Sequence, residues 1–160
     1  MKNGNIRKYL SYKETYSRMD EAIKNGFYFE AITIQESILS DRLLSFVVSK
    51  NLIEINENEI HKIKVSLGNL INATKDYMTG FDSLHAELVK FKNQRNICVH
   101  SLVKSYPGKP TVNVVDIITL AKETSTNGKK LTREVLKWHK HEKNKSILKN
   151  KSLKGQLKMN

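Results

Sequence analysis

FYFEAITIQESILSDRLLSFVVS, residues 27–49, carries two apolar stripes at once. Phe27, Ala31, Ile34 and Ile38 recur at helical spacing along one side, and Leu39, Leu43 and Phe46 along another. A surface helix needs one such stripe, whereas a helix apolar on two sides belongs inside a bundle. This segment therefore predicts the central helix of an all-α protein.

Outward from it, the chain keeps the same period. SYKETYSRMDEAIKN places Tyr12, Tyr16, Met19 and Ile23 at spacings that predict a first helix over Ser11–Asn25, and Asn25-Gly26 is a C-terminal stop. NLIEINENE (51–59) is a polar connector. A third helix is expected over about 57–78, with Ile60, Ile63, Leu67, Leu70 and Ile71 on its apolar side and Thr79-Gly80 at its end. The fourth begins after Asp82 or Ser83, either a natural N-cap, and reaches about Lys104. SYPGKPTV holds both prolines and is the clearest break. A final helix, or a kinked pair interrupted at Gly128 in STNGKK, covers roughly 113–141.

The expected architecture is a helical bundle of about five helices in one domain over 11–141, with a loose leader at 1–10 and a basic tail at 142–160. Too little turn punctuation is present for a sandwich of short strands. No apolar run reaches 18 residues, and MKNGNIRKYLSYKE lacks the apolar core and cleavage site of a signal peptide. Cys98 is the sole cysteine, which excludes an internal disulfide and a multi-cysteine zinc site. A reducing, cytoplasmic setting is the expectation.

The formal charge is +12, from 28 Lys and Arg against 16 Asp and Glu. Such a surface attracts polyanions by counterion release, so RNA or DNA is the expected class of partner. From Lys137 to Asn160 there are eight lysines and one glutamate. Ile147, Leu148, Leu153 and Leu157 allow a weak basic amphipathic helix there, although such termini are more often frayed and solvated.

QRNICVHSL (94–102) interrupts the fourth helix's stripe of Leu84, Leu88, Phe91, Cys98 and Leu102 with Arg95. A charge on a packed face needs a partner, because its desolvation is costly. Glu30, Glu36 and Asp41 on the central helix are the acids able to supply one, and the pair could simply join two helices. Asn96 and His100 are about 40° apart on the helix and share a face, whereas Arg95 and His100 differ by about 140°. Arg95 and His100 converge only if the arginine reaches around the helix edge, or if a second chain brings its own copy close.

This segment, three helices into an all-α chain, resembles the signature of the HEPN family, R-x4-6-H with a polar residue after the arginine. Here it reads Arg95-Asn96-Ile97-Cys98-Val99-His100. EAIKNGFYFEAITIQESILSDRLLSFV resembles the long central helix such domains carry, and SLGNLI (66–71) their intervening helix. The resemblance spans about residues 11–140, with only the R-N-x3-H segment specific. It implies a metal-independent endoribonuclease acting as a homodimer, two signatures facing one cleft, with Arg95, Asn96 and His100 catalytic and no cofactor. It also implies a toxin or abortive-infection effector in bacterial defence, often beside an antitoxin protein of nucleotidyltransferase type. Some members carry a modifiable tyrosine two residues after the histidine; here that place is Leu102, with Tyr106 out of register.

These residue types suit metal-free RNA cleavage, in which the 2′-OH attacks phosphorus. A histidine can take that proton or protonate the leaving 5′-oxygen. An arginine can hold the phosphate and neutralise developing charge. The expected ends are a 2′,3′-cyclic phosphate and a 5′-OH. The alternative expectation is a HEPN-like module that binds RNA or a partner without cutting. His139 and His141 in WHKHEK point about 160° apart and make a poor metal pair. H-E-x-x-H, a Gly-rich phosphate loop and G-x-S-x-G are all absent from the sequence. Cys98 is read as an apolar filler, and Trp138 as packed against the bundle rather than stacked on a base.

Overall fold

A computed structural model describes the backbone over residues 2–53, 65–100 and 113–156, and side chains over 6–53, 65–100 and 113–148. It is all-helical: α1 (Lys2–Lys24), α2 (Tyr28–Ser49), α3 (Leu67–Thr74) with a 3-10 turn at Lys75–Tyr77, α4 (Leu84–His100) and α5 (Val114–Gln156). No described helix is long and apolar enough to cross a membrane.

As its two stripes predict, α2 is the hub, packing against α1, α3, α4 and α5. Ile32, Leu39, Leu43, Phe46 and Val47 are buried along it and meet Leu70 and Ile71 of α3, Leu88 and Phe91 of α4, and Val135 and Trp138 of α5 in one core. Phe27 is the exception to its predicted stripe. It lies 59% exposed just before α2, where the chain is still closing α1.

That closure is a Schellman motif. Gly26 takes φ +80°, its N–H donates to Ile23 O, and the Phe27 N–H donates to Ala22 O. The end of α2 repeats it with Asn51 at φ 52°, whose N–H donates to Val48 O while the Leu52 N–H donates to Val47 O. Asparagine tolerates the left-handed region better than most residues, so the two stops use the two residue types suited to it.

Helix bounds depart from the sequence expectation at three places. α1 starts at Lys2, not Ser11, so the stretch read as a loose leader is helical from residue 2. Val65 and Ser66 are not helical, and the Ser66 hydroxyl accepts from the Asn69 N–H, capping α3 as a short helix of eight residues. The earlier part of the predicted third helix, with Ile60 and Ile63, lies outside the described residues.

The third departure is Gly128. α5 runs unbroken for 43 residues through STNGKK and through residues 142–156, which the sequence assigned to a frayed tail. Gly128 is a packing notch, where an added Cβ would stand 2.7 Å from Phe91 Cε2 and nearer still to Gln35 Oε1. The fully buried Gln35 uses that space to donate from Nε2 to the Ser125 carbonyl at 2.6 Å. Ala121, Thr124, Ser125 and Thr132 are buried around the notch, so small residues let α2 and α4 close on α5. Low helix propensity is overridden here by burial.

Candidate functional site

Leu84, Leu88, Phe91 and Cys98 fix α4 by its buried side and leave Arg95 half-buried at the edge of that contact. Of the three acids on α2, Glu36 is the one that meets it. Arg95 Nε donates to Glu36 Oε2 at 2.7 Å, and Nη2 approaches the same oxygen at 2.7 Å. Nη1 donates to Asn96 Oδ1 at 3.0 Å. A guanidinium carries five N–H groups. Three are engaged, leaving one on Nη1 and one on Nη2.

Asn96 thus faces Arg95 with its carbonyl oxygen, while His100 is the last described residue of α4 and is exposed. Asn93, Asn96, Ile97 and His100 lie within an arc of about 100° on α4, clear of its buried side. Arg95 and Asn96 are brought together within the chain, and no described pocket encloses either of them with His100. Leu102 and Tyr106 lie outside the described residues. Ile97 and Val99 inside the motif are exposed apolar side chains, as are Val114, Val115 and Ile118 at the start of α5.

Cys98 is fully buried within the motif, and burial pushes its thiol above the ordinary range while the Thr124 hydroxyl acts in the opposite direction. A thiol so held is protonated and a poor nucleophile. Trp138 is also fully buried, donating from Nε1 to the Tyr77 carbonyl at 2.9 Å with its ring 4.7 Å from that of Phe46. It is therefore core, not a base-stacking platform. No group of three His, Cys, Asp or Glu placed to hold a metal occurs among the described residues.

A second polar constellation was not visible as a motif. Tyr12 of α1 donates to the Asp41 carboxylate of α2, which Lys8 also approaches at 3.4 Å. The Arg42 guanidinium lies 4.0 Å over the Tyr12 ring. Burial and then the Asp41 bond push the Tyr12 phenol well above its usual range. His139 of α5 faces the same cluster, and its pKa is lowered, first by burial and then by Arg42 and Lys143, against the opposing pull of Asp41. Beside it a groove of about 320 Å³ runs between α2 and α5, lined among others by Ser49, Lys50, His139, Glu142 and Lys143. Its residues recur at helical spacing on two segments (45, 46, 49, 50 and 139, 142, 143, 146), the only linear trace of it.

Neither a family model, nor a curated protein, nor a solved structure matches this chain.

Proposed function

We propose that the protein is a metal-independent endoribonuclease acting as a homodimer through Arg95, Asn96 and His100, of the toxin or abortive-infection type. The observation that carries the reading is the state of Arg95. Glu36 and Asn96 fix the plane of its guanidinium while two N–H groups remain for an incoming phosphate. His100 stands on the exposed face of the same helix, accessible to a 2′-OH or a leaving 5′-oxygen. Ile97 and Val99 flank it and offer apolar surface to a second copy, which would supply the other histidine of an acid–base pair. The +12 charge favours RNA as the partner. An antitoxin of nucleotidyltransferase type is the regulatory partner this reading implies, in a cytoplasmic setting.

A second reading has an observation of its own. The Arg95–Glu36 pair ties α4 to α2, so the arginine serves the packing whether or not RNA is cut. The chain would then be a non-catalytic module binding RNA or a partner protein.

Cleavage of total bacterial RNA with and without EDTA, by wild type and His100→Ala side by side, separates the two. The nuclease reading expects EDTA-resistant cleavage by wild type, leaving 2′,3′-cyclic phosphate ends, and none by His100→Ala. Equal cleavage by both proteins would remove His100 from the chemistry.

A further inference from the structure

The α2–α5 groove lies away from the Arg95 site. Along α2, Glu36 and Arg42 are separated by about 120° around the helix axis. Two lysines line the groove, Lys50 at the C-cap of α2 and Lys143 on α5. Lys8 of α1 and Arg42 of α2 add positive charge beside its His139, and Lys145 is bonded to its Glu142. Among the described residues the carboxylates beside them are Asp41 and Glu142, and both are engaged. Asp41 accepts from Tyr12 and Lys8, and Glu142, its side chain 7% exposed, is bonded to Lys145 at 2.9 Å. Lys143 makes no ion pair among the described residues, and Lys50 spends one N–H on Ser146 Oγ at 2.9 Å, leaving two.

The carbonyls at the end of α2, which would repel an anion, are turned to other donors. Phe46 O accepts from the Lys50 N–H and from Ser49 Oγ, and Val47 and Val48 are closed by the Schellman bonds. The walls thus present ammonium groups from two sides, which suits a tetrahedral anion with oxygens pointing several ways better than a planar carboxylate. Phe46 and Ile147 add apolar surface, and the volume exceeds what a bare ion fills.

We propose that this groove binds a phosphate ester of nucleotide size, with Lys50 and Lys143 holding the phosphoryl oxygens and His139 as a third donor. The nucleotide is either free or part of an RNA chain. Bound phosphate adds negative charge beside an imidazole otherwise surrounded by Lys8, Arg42 and Lys143, with Asp41 the opposing charge, so His139 takes up a proton on binding.

The test is an NMR titration of the 15N-histidine-labelled full chain with AMP and with a 2′-O-methyl RNA hexamer, which cannot be cut. The expected result is saturable movement of the His139 resonances and a rise in its pKa, with affinity about tenfold weaker in Lys143→Ala. Persistence of both effects in Arg95→Ala makes the groove separate from the nuclease site, whatever the cleavage assay finds. Binding of AMP as tightly as the hexamer identifies a free nucleotide; a markedly tighter hexamer identifies RNA. Resonances unmoved by either ligand overturn the proposal. So does movement that Lys143→Ala leaves unchanged, a variant on an exposed position whose fold circular dichroism can verify.

Discussion

Arg95 and Glu36, 59 positions apart in the chain, meet across the α2–α4 contact, with Nε and Nη2 of the arginine converging on one carboxylate oxygen at 2.7 Å. Their side chains are 26% and 25% exposed. The pair therefore falls between an exposed one, worth about 0.2–1 kcal/mol, and a fully buried one, whose breakage costs about 3–5 kcal/mol.

Glu36→Gln and Arg95→Ala are each expected to lower stability by about 1–2 kcal/mol, and the double variant by less than the sum. Urea unfolding of the four proteins measures the coupling. His100→Ala, at an exposed position, is expected within about 0.5 kcal/mol of wild type. Loss of activity in His100→Ala is then chemistry, while loss in Arg95→Ala is partly structure.

Gly128→Ala is expected to destabilise by about 1–3 kcal/mol despite the better helix propensity of alanine, because the added methyl meets Gln35 and Phe91. Gly68→Ala is the control. Its Cβ finds Lys92 Cδ at an ordinary 3.5 Å, and propensity then gives a gain of up to about 1 kcal/mol. Opposite shifts in melting temperature for the two glycines check both statements.

His139 makes stability pH-dependent in a definite direction. Its folded pKa is lowered, chiefly by burial and then by Arg42 and Lys143, so between the folded and unfolded values the unfolded chain binds more protons. The contribution is complete above the unfolded value of about 6.5 and is lost as pH falls through the folded one. His139→Gln is expected to flatten that part of the stability profile, and unfolding of both proteins at a series of pH values below 7 tests it.

What was legible in the sequence follows from where the information is local. Two apolar stripes in 27–49 marked the hub, and Asn25-Gly26 marked a stop, because both depend on residues within a few turns. Glu36 was among three named partners for Arg95, but choosing it needed the crossing of two helices. Gly128 misled for the opposite reason. Ser, Thr, Asn and Gly together signal a break, and only Gln35 and Phe91, from distant elements, explain why the helix continues. The groove left no motif, since its polar residues come from two distant helices and its carboxylate and lysines each look like ordinary surface.

The unbroken α5 has one more consequence. Forty-three residues of helix extend for about 65 Å, so the lysines from Lys137 to Lys154 ride on a rod instead of a floating tail. Charge fixed toward one end of a body gives it a permanent dipole, and the field of a polyanion exerts a torque on that dipole before any contact forms. The molecule would approach such a partner already turned, basic end leading, with an alignment that fades as added salt shortens the reach of the field.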